Sequence, residues 1–151
     1  DNKINEKLII KSRKVTQKRL ELCGIKKIEE IIIPHKENIL CNKIQICINR
    51  NVDIILIIGP HAITHIKDVI PNAISKSGAK IIRFGIPVEP GNLLLLSKFK
   101  SSNKDIYIIG MPSCAKSPKE NGLDWVLWRI LCNINFKNSN LNELSVGGLI
   151  K

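Results

Sequence analysis

The stretch IYIIGMPSCAKSPKENGLDWVLW, residues 106–128, decides the fold. Four apolar residues, Ile106 to Ile109, run straight into a small, proline-bounded turn, and then into a helix pattern that carries both tryptophans of the chain. A short run that is apolar at every position suits a strand covered on both faces, as in a parallel sheet. Ser117, Pro118 and Glu120 read as a helix start: the serine caps, the proline suits the first helical position and the glutamate completes a capping box. The pattern therefore predicts a helix over 118–134, with Leu123, Val126, Leu127 and Ile130 on its core face. Trp125 and Trp128 share a neighbouring face and are expected to pack against the sheet or a neighbouring domain. Ser113, Cys114 and Ala115 are small enough to let an anion approach the backbone, and the helix amino end would favour it. Lys116 and Lys119 lie within reach of the same position.

Outward from there, helices and apolar runs alternate. A helix is expected over 11–23, with Gly24 placed to end it. Residues 28–33 form a β-branched run closed by Pro34. Leu40, Ile44, Cys47 and Ile48 mark one face of a helix over 36–49. The run 53–58 is almost purely apolar and stops at Gly59-Pro60. A helix over 71–77 ends at Gly78, a strand follows over 80–84, and 93–96 is ambiguous between strand and helix. This alternation predicts an α/β fold with a mostly parallel sheet covered on both faces. Ligands in such folds sit beyond the carboxyl ends of the strands, which selects the loops 59–71 and 110–117. The turn Glu89-Pro90-Gly91 is a third candidate by its chemistry.

Bulk composition narrows the class. A chain of 151 residues with 44% hydrophobic content fits one domain with a substantial core. No apolar run reaches the roughly 18–20 residues that span a membrane, and no signal peptide is visible. The net charge of +11 invites a nucleic-acid reading. The lysines are scattered, however, without an arginine block or an aromatic-interleaved stripe, so solvated faces explain them better. A basic surface still suits an anionic small ligand. Five cysteines, an odd number with no Cys-x-x-Cys pair, argue against disulfide and zinc frameworks and fit a reducing cytosol.

The first loop, GPHAITHIKDVIP over 59–71, holds His61, His65 and Asp68. A metal needs three or four converging ligands, so none is expected there. Asp68 is positioned either to cap a helix or to hold a ligand amide, a hydroxyl or magnesium, since an ionised carboxylate only accepts. Cys114 has no local histidine to activate it and is expected to be a small packed residue.

These loops resemble the molybdopterin-binding domain shared by molybdenum cofactor biosynthesis proteins. The likeness is closest to the bacterial form found ahead of a nucleotidyltransferase-like domain in molybdenum cofactor cytidylyltransferase fusions. GPHAITHIKDVIP is similar to that family's glycine-rich strand end followed by Asp-Val and a proline. FGIPVEPGNLLLL over 84–96 is similar to its Pro-Gly turn, and GMPSCAKSPKENGLDWVLWRIL over 110–131 to its final loop and helix. SVGGLIK over 145–151 resembles the short tail after it.

The resemblance implies a three-layer α/β/α fold over 1–151, lacking the family's first strand, which would lie upstream of Asp1 in a longer cytoplasmic product. It implies binding of molybdopterin or the molybdenum cofactor, with magnesium and nucleotide as further ligands. The implied partners are a homo-oligomer or a fused nucleotidyltransferase-like domain, with no membrane. Carried over by position, Gly59 and Asp68 belong to the first binding loop, Pro90 and Gly91 to the second, and Pro112, Ser113 and Ser117 to the third. Two departures matter: Gly59-Pro60-His61-Ala62 stands where many relatives carry Gly-Gly-Thr-Gly, and Pro34-His35 where many place an aspartate after the proline. Both count against adenylyl transfer without counting against binding. The expected function is pterin binding. Transferase or molybdate-insertion activity in the same pocket, and a nonenzymatic assembly role, are the alternatives.

Overall fold

Leu94, Leu95 and Leu96 are each fully buried, yet Leu95 enters one core and its two neighbours the other. That alternation is the period of a strand covered on both faces, and it resolves the ambiguous run at 93–96. The computed structural model describes residues 6–134 and 141–145. In chain order the elements are α1 (Glu6–Leu22), α2 (Glu37–Asn49), β1 (Ile54–Ile57), α3 (Val69–Lys76), β2 (Lys80–Phe84), β3 (Leu95–Lys100), β4 (Asp105–Gly110) and α4 (Gly122–Leu131), with short 3-10 turns at Ser113–Lys116 and Glu143–Ser145. The sequence resembling a family tail falls almost wholly on 146–151, outside the described residues.

The strands form one sheet in the order β1-β4-β3-β2. Its two faces carry separate cores. Ile57, Leu95, Ile106 and Ile108 meet Leu40, Ile44 and Ile48 of α2 and Ile70, Ala73 and Ile74 of α3. Leu96 and Ile109 meet Leu123, Val126 and Ile130 of α4, together with Leu141 and Leu144. Each such fully buried aliphatic side chain contributes about 1.5–3 kcal/mol relative to exposure.

The fold is α/β, but its sheet is mixed rather than mostly parallel. Only β1 and β4 run parallel; β4–β3 and β3–β2 are antiparallel. Connection length explains the correction. A parallel pair needs a crossover of about a dozen residues or more. β3 and β4 are joined only by residues 101–104, where the Ser101 N–H donates to Lys104 O at 2.9 Å. Between β2 and β3, the Gly85 N–H donates to Leu94 O at 2.8 Å, which closes a hairpin. The β-branched run over 28–33 forms no strand: it joins no ladder, and Ile28, Ile31 and Ile32 are exposed. Ion pairs from Glu29 to Arg50 and from Glu30 to Arg13 hold it instead. β1 is an edge strand of this sheet.

Gly91 couples the β2–β3 connection to α4. It has φ +119°, and a Cβ there would stand 2.8 Å from Gly122 Cα. Gly24, at φ +78°, has nothing within 4 Å of the same point. Alanine at Gly24 therefore meets backbone strain alone, about 1–2 kcal/mol, while Gly91→Ala adds a backbone collision. Urea unfolding should rank Gly91→Ala as the more costly; equal losses would show that the connection moves aside freely.

Candidate functional site

Three loops leave the same end of the sheet. Ile57, the last residue of β1, pairs with Gly110, the last of β4. Leu95, the first of β3, faces Gly110 on one side and Phe84, the last of β2, on the other. Residues 58–68, 85–94 and 111–121 therefore emerge together, and all seven site residues selected from the sequence lie on them. The loops are also tied to one another. Lys116 Nζ donates to Pro60 O at 3.2 Å, and the Gly122 N–H donates to Pro90 O at 2.9 Å.

In the first loop, Gly59 is a packing residue: a Cβ would stand 2.9 Å from Ile70 Cδ1 and 3.2 Å from His61 O. Asp68 occupies the cap position of α3, but its side chain does not cap that helix. Oδ2 turns back to accept the Thr64 N–H at 3.0 Å and the His65 N–H at 2.9 Å. The backbone bond from His65, opposed in part by desolvation, pulls the carboxyl below its usual range, and the bond from Thr64 adds to it. The loop so closed forms one wall of a cleft of about 250 Å³ lined by His35, His61, Ala62, Ile63, Thr64, Asp68, Val69 and Ile70. Burial and then the neighbouring His61 lower the His35 pKa, with Asp68 pulling it back up. The sequence reading noted His35 only as a departure from a family pattern and weighed His61 only as a metal ligand. The available signal was their position, two and three residues past a strand-like run and each directly after a proline. Among the described residues no group of three or more His, Cys, Asp or Glu is arranged to hold a metal.

The third loop differs most from expectation. α4 begins at Gly122, not at Pro118. Asn121 is the cap: its side chain accepts the Leu123 N–H at 3.0 Å, while Asp124 Oδ2 accepts the Asn121 N–H at 2.9 Å. Ser117 Oγ accepts only the Lys119 N–H, at 3.3 Å. The cause lies in α1. Buried Arg19 pairs with Asp124 and donates to the carbonyls of Ala115 at 3.0 Å, Ser117 at 3.1 Å and Lys119 at 3.3 Å. With the guanidinium held against these carbonyls, residues 117–119 remain in bends and the helix begins at Gly122.

The amino end of α4 is consequently engaged by its own chain. Its first three N–H groups go to Pro90 O, Asn121 Oδ1 and Asn121 O, so the expected anion cradle there does not form. Ala115 is fully buried in the core and offers no clearance to a ligand. Pro112 is buried and its carbonyl accepts the Ala115 N–H at 3.0 Å, whereas Ser113 is exposed beside it. Burial raises the Cys114 thiol pKa, and Glu89 of the second loop adds to that. Trp125 packs on the core as expected and donates to Glu120 at 2.7 Å. Trp128 remains 44% exposed. It lines a second groove, between α1 and α4, with Val15, Lys18 and Leu22.

No family model, curated protein or solved structure matches the chain.

Two measurements check this geometry. Arg19→Met would leave Asp124 buried without its partner, and removing one member of a buried pair costs about 3–5 kcal/mol. Adding Asp124→Asn should recover part of that loss, because asparagine keeps an acceptor for the Asn121 N–H and carries no charge. A single-variant loss under about 1 kcal/mol would contradict the hub. Alkylation at neutral pH should label exposed Cys132 before Cys114, whose thiol stays protonated. Faster labelling of Cys114 would restore it as a nucleophile.

Proposed function

We propose that this chain binds molybdopterin, the pterin together with its phosphate, across the loops 58–68, 85–94 and 111–121, and presents it for a later step of molybdenum cofactor biosynthesis. One observation carries the reading: the residues matched to the family's three binding segments, far apart in sequence, come to one end of one sheet. The three-layer arrangement that the resemblance implies belongs to the same proposal. It is supported by α2 and α3 packing on one core and α4 on the other. A cytoplasmic setting belongs to it as well, supported by the free cysteines; no helix among the described residues is long and apolar enough to cross a membrane.

In this reading Asp68 has one job per oxygen. Oδ2 holds the loop closed, and Oδ1 accepts from a ligand amide or hydroxyl. Ser113 supplies an exposed hydroxyl across the site, and the basic surface raises the local concentration of an anionic ligand. Binding is favoured over nucleotidyl transfer. The amino end of α4 has no N–H to spare for a phosphate, and Pro60-His61-Ala62 lacks the backbone freedom of a glycine run.

Titration of the full chain with molybdopterin tests the proposal. Saturable binding is expected, weakened about tenfold by Asp68→Asn, in line with the loss of one hydrogen bond to a charged group. The melting temperature should move little, since asparagine retains an oxygen for the Thr64 and His65 N–H groups. No saturable binding by the parent overturns the function and leaves the assembly role. An unchanged affinity in the variant removes Asp68 from the site.

A further inference from the structure

The two imidazoles in the first-loop cleft have no part in the reading above. His35 comes from the segment before α2 and His61 from the loop after β1, so two distant pieces of chain bring them to one cavity. They line it together, and His61 disfavours the proton of His35. At about 250 Å³ the cavity falls below the roughly 300–1,000 Å³ of pockets that enclose a drug-sized ligand. It has room for a small ion or for the end of a larger molecule.

The surrounding charges are mixed. Asp68 at the start of α3 lines the same cleft, its carboxylate held by the Thr64 and His65 N–H groups and favouring the proton on His35. Glu37 at the start of α2 is already paired with Lys76 and bonded by Asn72. Lys36 follows His35 and Lys67 precedes Asp68 in sequence, and His65 Nδ1 is occupied by the Lys67 N–H at 3.0 Å. From the third loop Lys116 reaches Pro60 O, and burial lowers its pKa. With both imidazoles neutral, Asp68 therefore leaves the cleft hostile to an anion. With them protonated, the cleft presents two cations against one carboxylate.

We propose that the His35–His61 cleft is a proton-coupled site for a small tetrahedral oxyanion, either free sulfate or phosphate or the phosphate end of the pterin ligand. In its last form it rests on the function proposed above. The linkage has a definite sign. Burial and then the neighbouring His61 favour a neutral His35 in the empty site, so an anion that binds there must bring a proton with it. Its affinity therefore rises as pH falls through the histidine range.

Sulfate is the probe of choice, because its charge is constant from pH 8 to pH 5.5 and any slope belongs to the protein. Calorimetric titration of the full chain at fixed ionic strength should show affinity rising about tenfold per pH unit for each proton taken up. His35→Gln and His61→Gln should each remove most of that slope. In the parent, sulfate should raise the NMR titration midpoints of His35 and His61 but leave His65 in place, a readout independent of how the variants fold. A flat sulfate profile, midpoints that sulfate does not move, or no sulfate binding at pH 5.5 overturns the site. Sulfate binding with the slope but no molybdopterin binding supports this site and overturns the pterin reading; molybdopterin binding with a flat sulfate profile does the reverse. If both bind, a molybdopterin affinity with the same slope assigns the cleft to the ligand's phosphate, and a pH-independent one to free oxyanion.

Discussion

Arg19 projects from a helix that is otherwise mostly in water, and its guanidinium is buried where four acceptors converge. A buried charge without partners would be prohibitive, so the chain around it has little choice. Three of the acceptors are carbonyls of alternate residues, 115, 117 and 119. Ala115 lies in the 3-10 turn and residues 117–119 are bends, so the three carbonyls converge on the guanidinium without the chain entering an α-helix. The segment after the 3-10 turn therefore stays open, and the next helix waits for Asn121. Gly122 then becomes its first residue and lies against Gly91, with the Pro90 carbonyl closing the contact. One side chain from α1 thereby sets the shape of the third loop, the start of α4 and the seat of the second loop.

The apolar runs were readable because burial on two faces leaves a plain mark. Ile106 to Ile109 and the run before Gly59 are strands where the pattern placed them, and Lys80–Phe84 has the expected bounds. Strand direction was not readable from those runs, since a covered antiparallel strand is as apolar as a parallel one. The evidence lay in the spacing, where residues 101–104 are too few to cross a sheet. The run at 28–33 misled for a related reason. Its β-branched residues have strand propensity, but no described strand lies beside them to complete a ladder, and propensity yields to context.

The candidate site divides in the same way. Asp68 was legible as the residue at the start of α3, but not its part there: its side chain leaves the helix uncapped and turns to the N–H groups three and four residues back, a choice its spacing does not encode. The third loop was not legible, because two helix-start signals overlap there, Ser117-Pro118-Lys119-Glu120 and Asn121-Gly122-Leu123-Asp124. Local chemistry ranks them about equally. The choice is made by Arg19, 105 residues from Asp124 in sequence, which no window around the loop contains. The small residues 113–115 were similarly ambiguous: a short side chain suits close approach of a ligand and dense packing alike, and for Ala115 packing won.

The docking of Arg19 has a consequence for motion. Of the 17 residues of α1 only Ser12, Arg19 and Leu20 are buried, and the helix meets the Ser113–Lys116 turn more than any other element. Helices with so few apolar anchors exchange their amide protons through local opening, while central strands such as β3 and β4 wait for global unfolding. When α1 opens it takes the guanidinium with it and frees the carbonyls of 115, 117 and 119. Docking of α1 and the order of the third loop are therefore one coupled event, tied through a single side chain.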